Sequence, residues 1–242
     1  MPDFFTTPQG RRIAFEQIAG RGPGVVFLGG FRSDMTGTKA AWLADWAAAR
    51  GRACLRFDYS GHGASSGAFE DGCIGDWAQD AVETIAALTT GPQVLVGSSM
   101  GGWIALLVAR RLPPAALVGI AAAPDFTEDG FWANFTPDQR AELAATGRVM
   151  VPSDYEDPYA ITRRLIEDGR DHLVLRRPLR LDCPVRLLQG AADTVVTPHV
   201  ALTLFDHLDA DDATLTLVKG ADHRFSTEAC LDLLGRTLDG LP

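Results

Sequence analysis

The chain has few cysteines, no surplus of positive charge and no long unbroken hydrophobic run. Its four cysteines (Cys54, Cys73, Cys183, Cys230) are scattered, without Cys-x-x-Cys or Cys/His metal-ligand spacing. No disulfide framework is implied, which fits a reducing compartment. Cys54 and Cys183 fall in or beside predicted strands and read as small buried hydrophobes. Lys and Arg number 22 against 31 Asp and Glu, a formal charge of −9. Nucleic acids and anionic membranes are polyanions, so neither is an expected partner. The uncharged run Leu112 to Pro124 is too short to span a bilayer and contains prolines. The N-terminus enters Phe4-Phe5-Thr6 without the basic start and apolar stretch of a signal peptide. A cytoplasmic protein without membrane insertion is the expectation. Internal repeats and low-complexity tails are also missing.

What is present is globular: 242 residues, 46% hydrophobic and 22% charged. One α/β domain over 1–242 is expected, since such a chain buries a substantial core. Phe4–Thr6 and Arg11–Gln17 read as an edge hairpin across Thr7-Pro8-Gln9-Gly10. Val25-Val26-Phe27-Leu28 is a continuous apolar strand, the mark of a parallel sheet covered on both faces. Helical patterns at 38–50, 74–88 and 100–112 then alternate with strands at 54–58, 91–97 and 116–120. The alternation breaks over about 124–180. That stretch mixes Phe126, Phe131, Trp132, Phe135, Tyr155 and Tyr159 with prolines and short helical patterns, one at 137–145 and one at 158–168 closed by Gly169. It reads as a small helical cap inserted over the carboxyl edge of the sheet. Regular α/β returns with strands at 185–188 and 213–218, a helix opened by Thr197-Pro198, and a final helix from about Ser226.

The stretch Val94-Leu95-Val96-Gly97-Ser98-Ser99-Met100-Gly101-Gly102 joins strand to helix through Gly-x-Ser-x-Gly. A nucleophile on so tight a turn holds a strained backbone, and flanking side chains would strike the strand and helix. Glycines at 97 and 101 remove them and let the Ser99 hydroxyl project from the sheet edge. Ser98, the neighbouring candidate, has Val96 and Met100 where glycines are needed.

A serine hydroxyl needs a base, and the base an orienting acid. His223 lies in the loop after the last strand, on the same edge as Ser99. His172 falls in the irregular segment, His199 and His207 on a helix, and His62 between glycines in a tight turn. Asp193 follows a glycine turn after the 185–188 strand and precedes a capped helix. Asp125, after the 116–120 strand, is the alternative acid, and Asp222 beside His223 should point elsewhere. The backbone N–H groups of Met100 and Phe31 are the candidate oxyanion hole. One such donor is worth about 3 kcal/mol of barrier. Arg163, Arg164, Arg176 and Arg177 are candidates for meeting an anionic leaving group, or simply a solvated charged face.

These motifs resemble the α/β-hydrolase family over essentially the whole chain, which implies a mostly parallel eight-stranded sheet flanked by helices. Ser33–Ala40, Arg56–Gly61, Gly91–Ser99, Cys183–Leu188 and Asp222-His223-Arg224 are similar to a narrower group. This group comprises mitochondrial acyl-protein thioesterases that also cleave acyl glucuronides (the abhydrolase-domain-10 type). The resemblance implies a serine esterase or thioesterase that uses no metal and no cofactor, with Ser99, Asp193 and His223 as triad, acting on a small-molecule acyl ester or thioester or an acylated protein. Lactone hydrolysis, perhydrolysis and non-catalytic ligand binding are the alternative readings of the chain. Two features depart from the group. Gly29-Gly30 stands where a His-Gly pair is common, and no targeting extension carries the mitochondrial location over.

Overall fold

The computed structural model describes residues 1–152 and 158–242. Strands β1 (Asp3–Thr6), β2 (Arg12–Ile18) and β3 (Arg21–Leu28) lead to helix α1 (Thr38–Ala49). Then come β4 (Arg52–Phe57), α2 (Ile74–Leu88), β5 (Val94–Ser98), α3 (Met100–Ala109) and β6 (Ala116–Ile120). The inserted stretch holds a π-helical turn (Phe126–Trp132), α4 (Pro137–Thr146), β7 (Arg148–Val151), β8 (Tyr159–Thr162) and α5 (Arg163–Asp171). The chain closes with β9 (Leu179–Arg180), β10 (Val185–Gly190), α6 (Pro198–His207), β11 (Leu208–Asp209), β12 (Ala213–Val218) and α7 (Glu228–Asp239).

Eight strands form one sheet in the order β1-β2-β4-β3-β5-β6-β10-β12. The β1–β2 and β2–β4 pairs are antiparallel, and every pair from β4 onward is parallel. Period-two alternation distributes each central strand between two cores. Val26, Leu28 and Leu95 pack with Trp77 of α2 and Trp103 of α3 on one face. Val25, Phe27, Val94 and Val96 pack with Leu43 and Trp46 of α1 and Leu234 and Leu238 of α7 on the other. Both faces being covered explains why β5 and β6 are buried at every residue and read as unbroken apolar runs. Each such buried aliphatic side chain contributes roughly 2 kcal/mol against the entropy of ordering the chain.

The inserted stretch departs from its sequence reading in two respects. A helix over 158–168 is expected, but Tyr159–Thr162 is a strand, paired antiparallel with Arg148–Val151. Its aromatic and β-branched residues suit a pleated surface. Thr162 then caps α5, its hydroxyl accepting from the Leu165 amide at 3.1 Å. Gly169 does not end that helix. Instead it lets α5 approach the π-helical turn, because a Cβ there would lie 2.1 Å from Thr127 Oγ1. The 137–145 helix is present, closed at its start by a reciprocal Thr136–Gln139 capping box. Tyr155 lies outside the described residues.

Candidate active site

Ser99 joins β5 to α3 with φ 54° and ψ −119°. A non-glycine residue in this region costs about 1–3 kcal/mol and persists only when its surroundings hold it. Here the Ser99 amide donates to Ile120 O at 2.9 Å, and its carbonyl accepts from the Gly102 and Ala123 amides. The glycines on either side are required by space. A Cβ on Gly97 would lie 2.3 Å from the Gly101 carbonyl oxygen.

His223 follows β12 and Asp193 follows β10, two neighbouring parallel strands that deliver both loops to the same carboxyl edge. The Ser99 hydroxyl lies 3.2 Å from His223 Nε2, and His223 Nδ1 lies 2.8 Å from Asp193 Oδ2. An ionised carboxylate only accepts, so this network assigns the hydrogen to Nδ1 and leaves Nε2 free to accept the serine proton. The other Asp193 oxygen accepts from the Val195 and Val196 amides, both at 2.9 Å. Burial pushes the Asp193 carboxyl up. The hydrogen bond and charge of His223, with those two amides, outweigh burial and hold it below the usual carboxylate value. Asp222 points elsewhere, as expected: it is exposed, and Oδ1 accepts from the Phe225 amide at 3.2 Å.

Asp125, the alternative acid, is fully buried and already occupied. Its oxygens accept from the Val174 amide at 2.8 Å, the Leu175 amide at 2.9 Å and Arg176 at 3.4 Å. It fastens the return of the inserted stretch. The other histidines are also engaged away from Ser99. His172 pairs with Asp168, His207 meets the Arg177 carbonyl, and His199 lines a neighbouring recess. His62 is buried among Tyr59, Phe69 and Trp77, and burial drives its pKa down from 6.5 to about 4.

Ser99 and His223 open on a cavity of about 700 Å³, whose lining includes Phe31, Met100, Phe126 and Tyr159. The Gly30–Ser33 turn is closed by the Ser33 amide donating to Gly30 O at 3.2 Å. Phe31 occupies its second position, whose N–H such a turn leaves unused. Among the described residues, neither the Phe31 nor the Met100 amide donates to a protein acceptor. Both candidate oxyanion donors therefore stay available beside Ser99. The Phe31 ring has a second role that the sequence did not disclose. It meets Phe69 edge-on at 4.8 Å, Phe126 at 5.6 Å and Tyr159 at 5.7 Å, joining the turn to the inserted stretch. Among the described residues, Arg32 puts a cation on the cavity wall, which sequence reasoning did not single out. Arg164 and Arg176 instead pair with Asp76 and with Asp129 and Asp125, while Arg163 donates to the Ala144 carbonyl. Arg177 is absent from the lining. Among the described residues, no group of three or more His, Cys, Asp or Glu is placed to hold a metal ion. No helix among them is long and apolar enough to cross a membrane.

Comparison with known proteins places the fold in a family. The human protein named palmitoyl-protein thioesterase ABHD10, mitochondrial, is 36% identical over 243 residues, covering 98% of this chain and 79% of that one. A putative hydrolase from Agrobacterium vitis S4 superposes with a TM-score of 0.95 at 41% identity, over 99% of this chain and 97% of that one. Mouse alpha/beta hydrolase domain-containing protein 10 does so with a TM-score of 0.91 at 33% identity, over 99% and 97%. The sequence profile of the alpha/beta hydrolase family matches residues 25–233. With the sheet order, the serine turn and these likenesses in agreement, the chain belongs to the α/β-hydrolase family.

Proposed function

We propose that the chain hydrolyses carboxylic esters or thioesters through an acyl-enzyme on Ser99, with His223 as base, Asp193 as orienting acid and the Phe31 and Met100 amides as oxyanion hole. The observation that carries this reading is the unbroken relay from the serine hydroxyl through both imidazole nitrogens to Asp193, at 3.2 and 2.8 Å. His223 Nε2 takes the hydroxyl proton as Ser99 Oγ attacks the acyl carbon. The carbonyl oxygen becomes the anion that the two amides hold, and Asp193 stabilises the imidazolium. Collapse breaks the bond to the alcohol or thiol, which leaves with the proton returned by His223. Water, deprotonated by the same nitrogen, then releases the carboxylic acid and restores Ser99.

The single domain 1–242, with about 124–180 as its cap, supplies the substrate seat in this reading. Phe126, Val195 and Val196 are shared between the main cavity and an adjoining recess of about 350 Å³, which suits an apolar acyl group. Small acyl esters and thioesters, or an acylated protein as the human relative's name prints, are the proposed substrates. All four cysteines are free, which suits a reducing compartment. The cytoplasmic placement rests on that, whereas the relative's name prints a mitochondrial one.

Hydrolysis of p-nitrophenyl esters and acyl thioesters of graded chain length by wild type and Ser99→Ala tests the reading. Turnover that depends on Ser99 is expected. A folded wild type inert to the whole series would overturn it.

A further inference from the structure

The acid of the relay has a partner that neither its motif nor its loop announces. Gln189, the penultimate residue of β10, is buried and its side-chain Nε2 donates to Asp193 Oδ2 at 3.1 Å. That is the same oxygen His223 Nδ1 contacts. The remaining reach of the amide goes to Val196 O at 2.8 Å and Gly190 O at 3.3 Å. Three acceptors surround one end of this side chain, which assigns the NH₂ group to that end. The other end is left over: Gln189 Oε1 is buried and has no partner among the described residues.

A buried carbonyl oxygen without a donor destabilises the folded chain, and an apolar side chain of similar length would avoid that cost. The orphaned atom is thus the consequence of placing an N–H against Asp193. With it, the carboxylate accepts four hydrogen bonds: the Val195 and Val196 amides on Oδ1, and Gln189 and His223 on Oδ2. We infer that Gln189 is a positioning residue for the hydrolytic reaction, fixing the plane of the Asp193 carboxylate so that Oδ2 faces His223. The inference rests on the proposed triad.

The donor also acts on charge. Part of the Asp193 negative charge is drawn toward Gln189, so an acid stripped of that donor holds the imidazolium more tightly. Removing the amide therefore moves the acidic limb of the kcat/KM profile to higher pH. Other charged groups facing the His223 loop are Asp222 and Arg224 on the loop, Lys39 of α1 bonded to the Arg224 carbonyl, and Arg32 and Asp34, which line the same cavity. The substitution leaves all five in place.

The test is the pH profile of ester hydrolysis by Gln189→Met, with Gln189→Leu as the second variant should methionine disturb the packing. The expected result is an acidic limb raised by about half a pH unit or more, with kcat lowered about tenfold and KM little changed. A limb that stays in place, whatever happens to the rate or to thermal stability, overturns the inference and leaves Gln189 a structural residue of the loop. Failure of the proposed function is distinguishable, because the wild-type protein would then show no Ser99-dependent hydrolysis to profile.

Discussion

Gly101 stands so close to Leu28 that a Cβ at its position would lie 2.0 Å from the Leu28 carbonyl oxygen. The contact joins the first turn of α3 to the end of β3, the strand that leads into the Phe31 turn. The serine turn and the oxyanion turn are therefore seated against each other by backbone alone. Gly101→Ala forces backbone apart rather than a flexible side chain. It is expected to destabilise the fold by about 3 kcal/mol or more. Urea unfolding measures this, and a variant within about 0.5 kcal/mol of wild type would contradict the packing described.

The two buried aspartates that compete for the role of acid separate by what their loss disturbs. Asp193→Asn keeps the shape but spoils the acceptor for His223, and kcat is expected to fall about 10⁴-fold. Asp125→Asn removes charge from a group serving Val174, Leu175 and Arg176. It is expected to cost about 2 kcal/mol of stability, with far the smaller loss of kcat. Parallel urea and kinetic measurements decide, and a reversal of the two patterns contradicts the assignment.

His62 makes stability depend on pH in a stated direction. Its folded pKa of about 4 lies below the ordinary 6.5, so between these values the unfolded chain binds more protons. Stability is full above about 6.5 and declines as pH falls toward 4, by about 3 kcal/mol across the interval from this group. His62→Phe, which can join the surrounding aromatic rings, is expected to flatten the profile by that amount. Urea midpoints across the interval measure it, and an unchanged slope contradicts the burial argument.

Features set by neighbours along the chain are legible in the sequence. Ser99 declares itself because the turn that carries it demands glycines two residues away on each side. His223 and Asp193 declare themselves as loop residues following apolar strands. The sheet is equally legible, since β3, β5 and β6 are buried on both faces and carry unbroken apolar runs. What is not legible depends on contacts distant in the chain. Residues 148–151 and 159–162 become strands by pairing with each other, and their short patterns fit helix or strand equally. Gly169 has the composition of a helix stop, but its reason is Thr127 on another element. Arg32 and Gln189 carry no motif. Their meaning comes from the cavity and from Asp193, which the fold brings to them.

The most direct measurement is site mapping of a fluorophosphonate adduct on the full chain. One equivalent of label is expected, located on the peptide bearing Ser99, absent from Ser99→Ala and formed far more slowly in His223→Ala. Label that persists in Ser99→Ala, or a folded wild type that takes up none, would contradict nucleophilic catalysis by this serine.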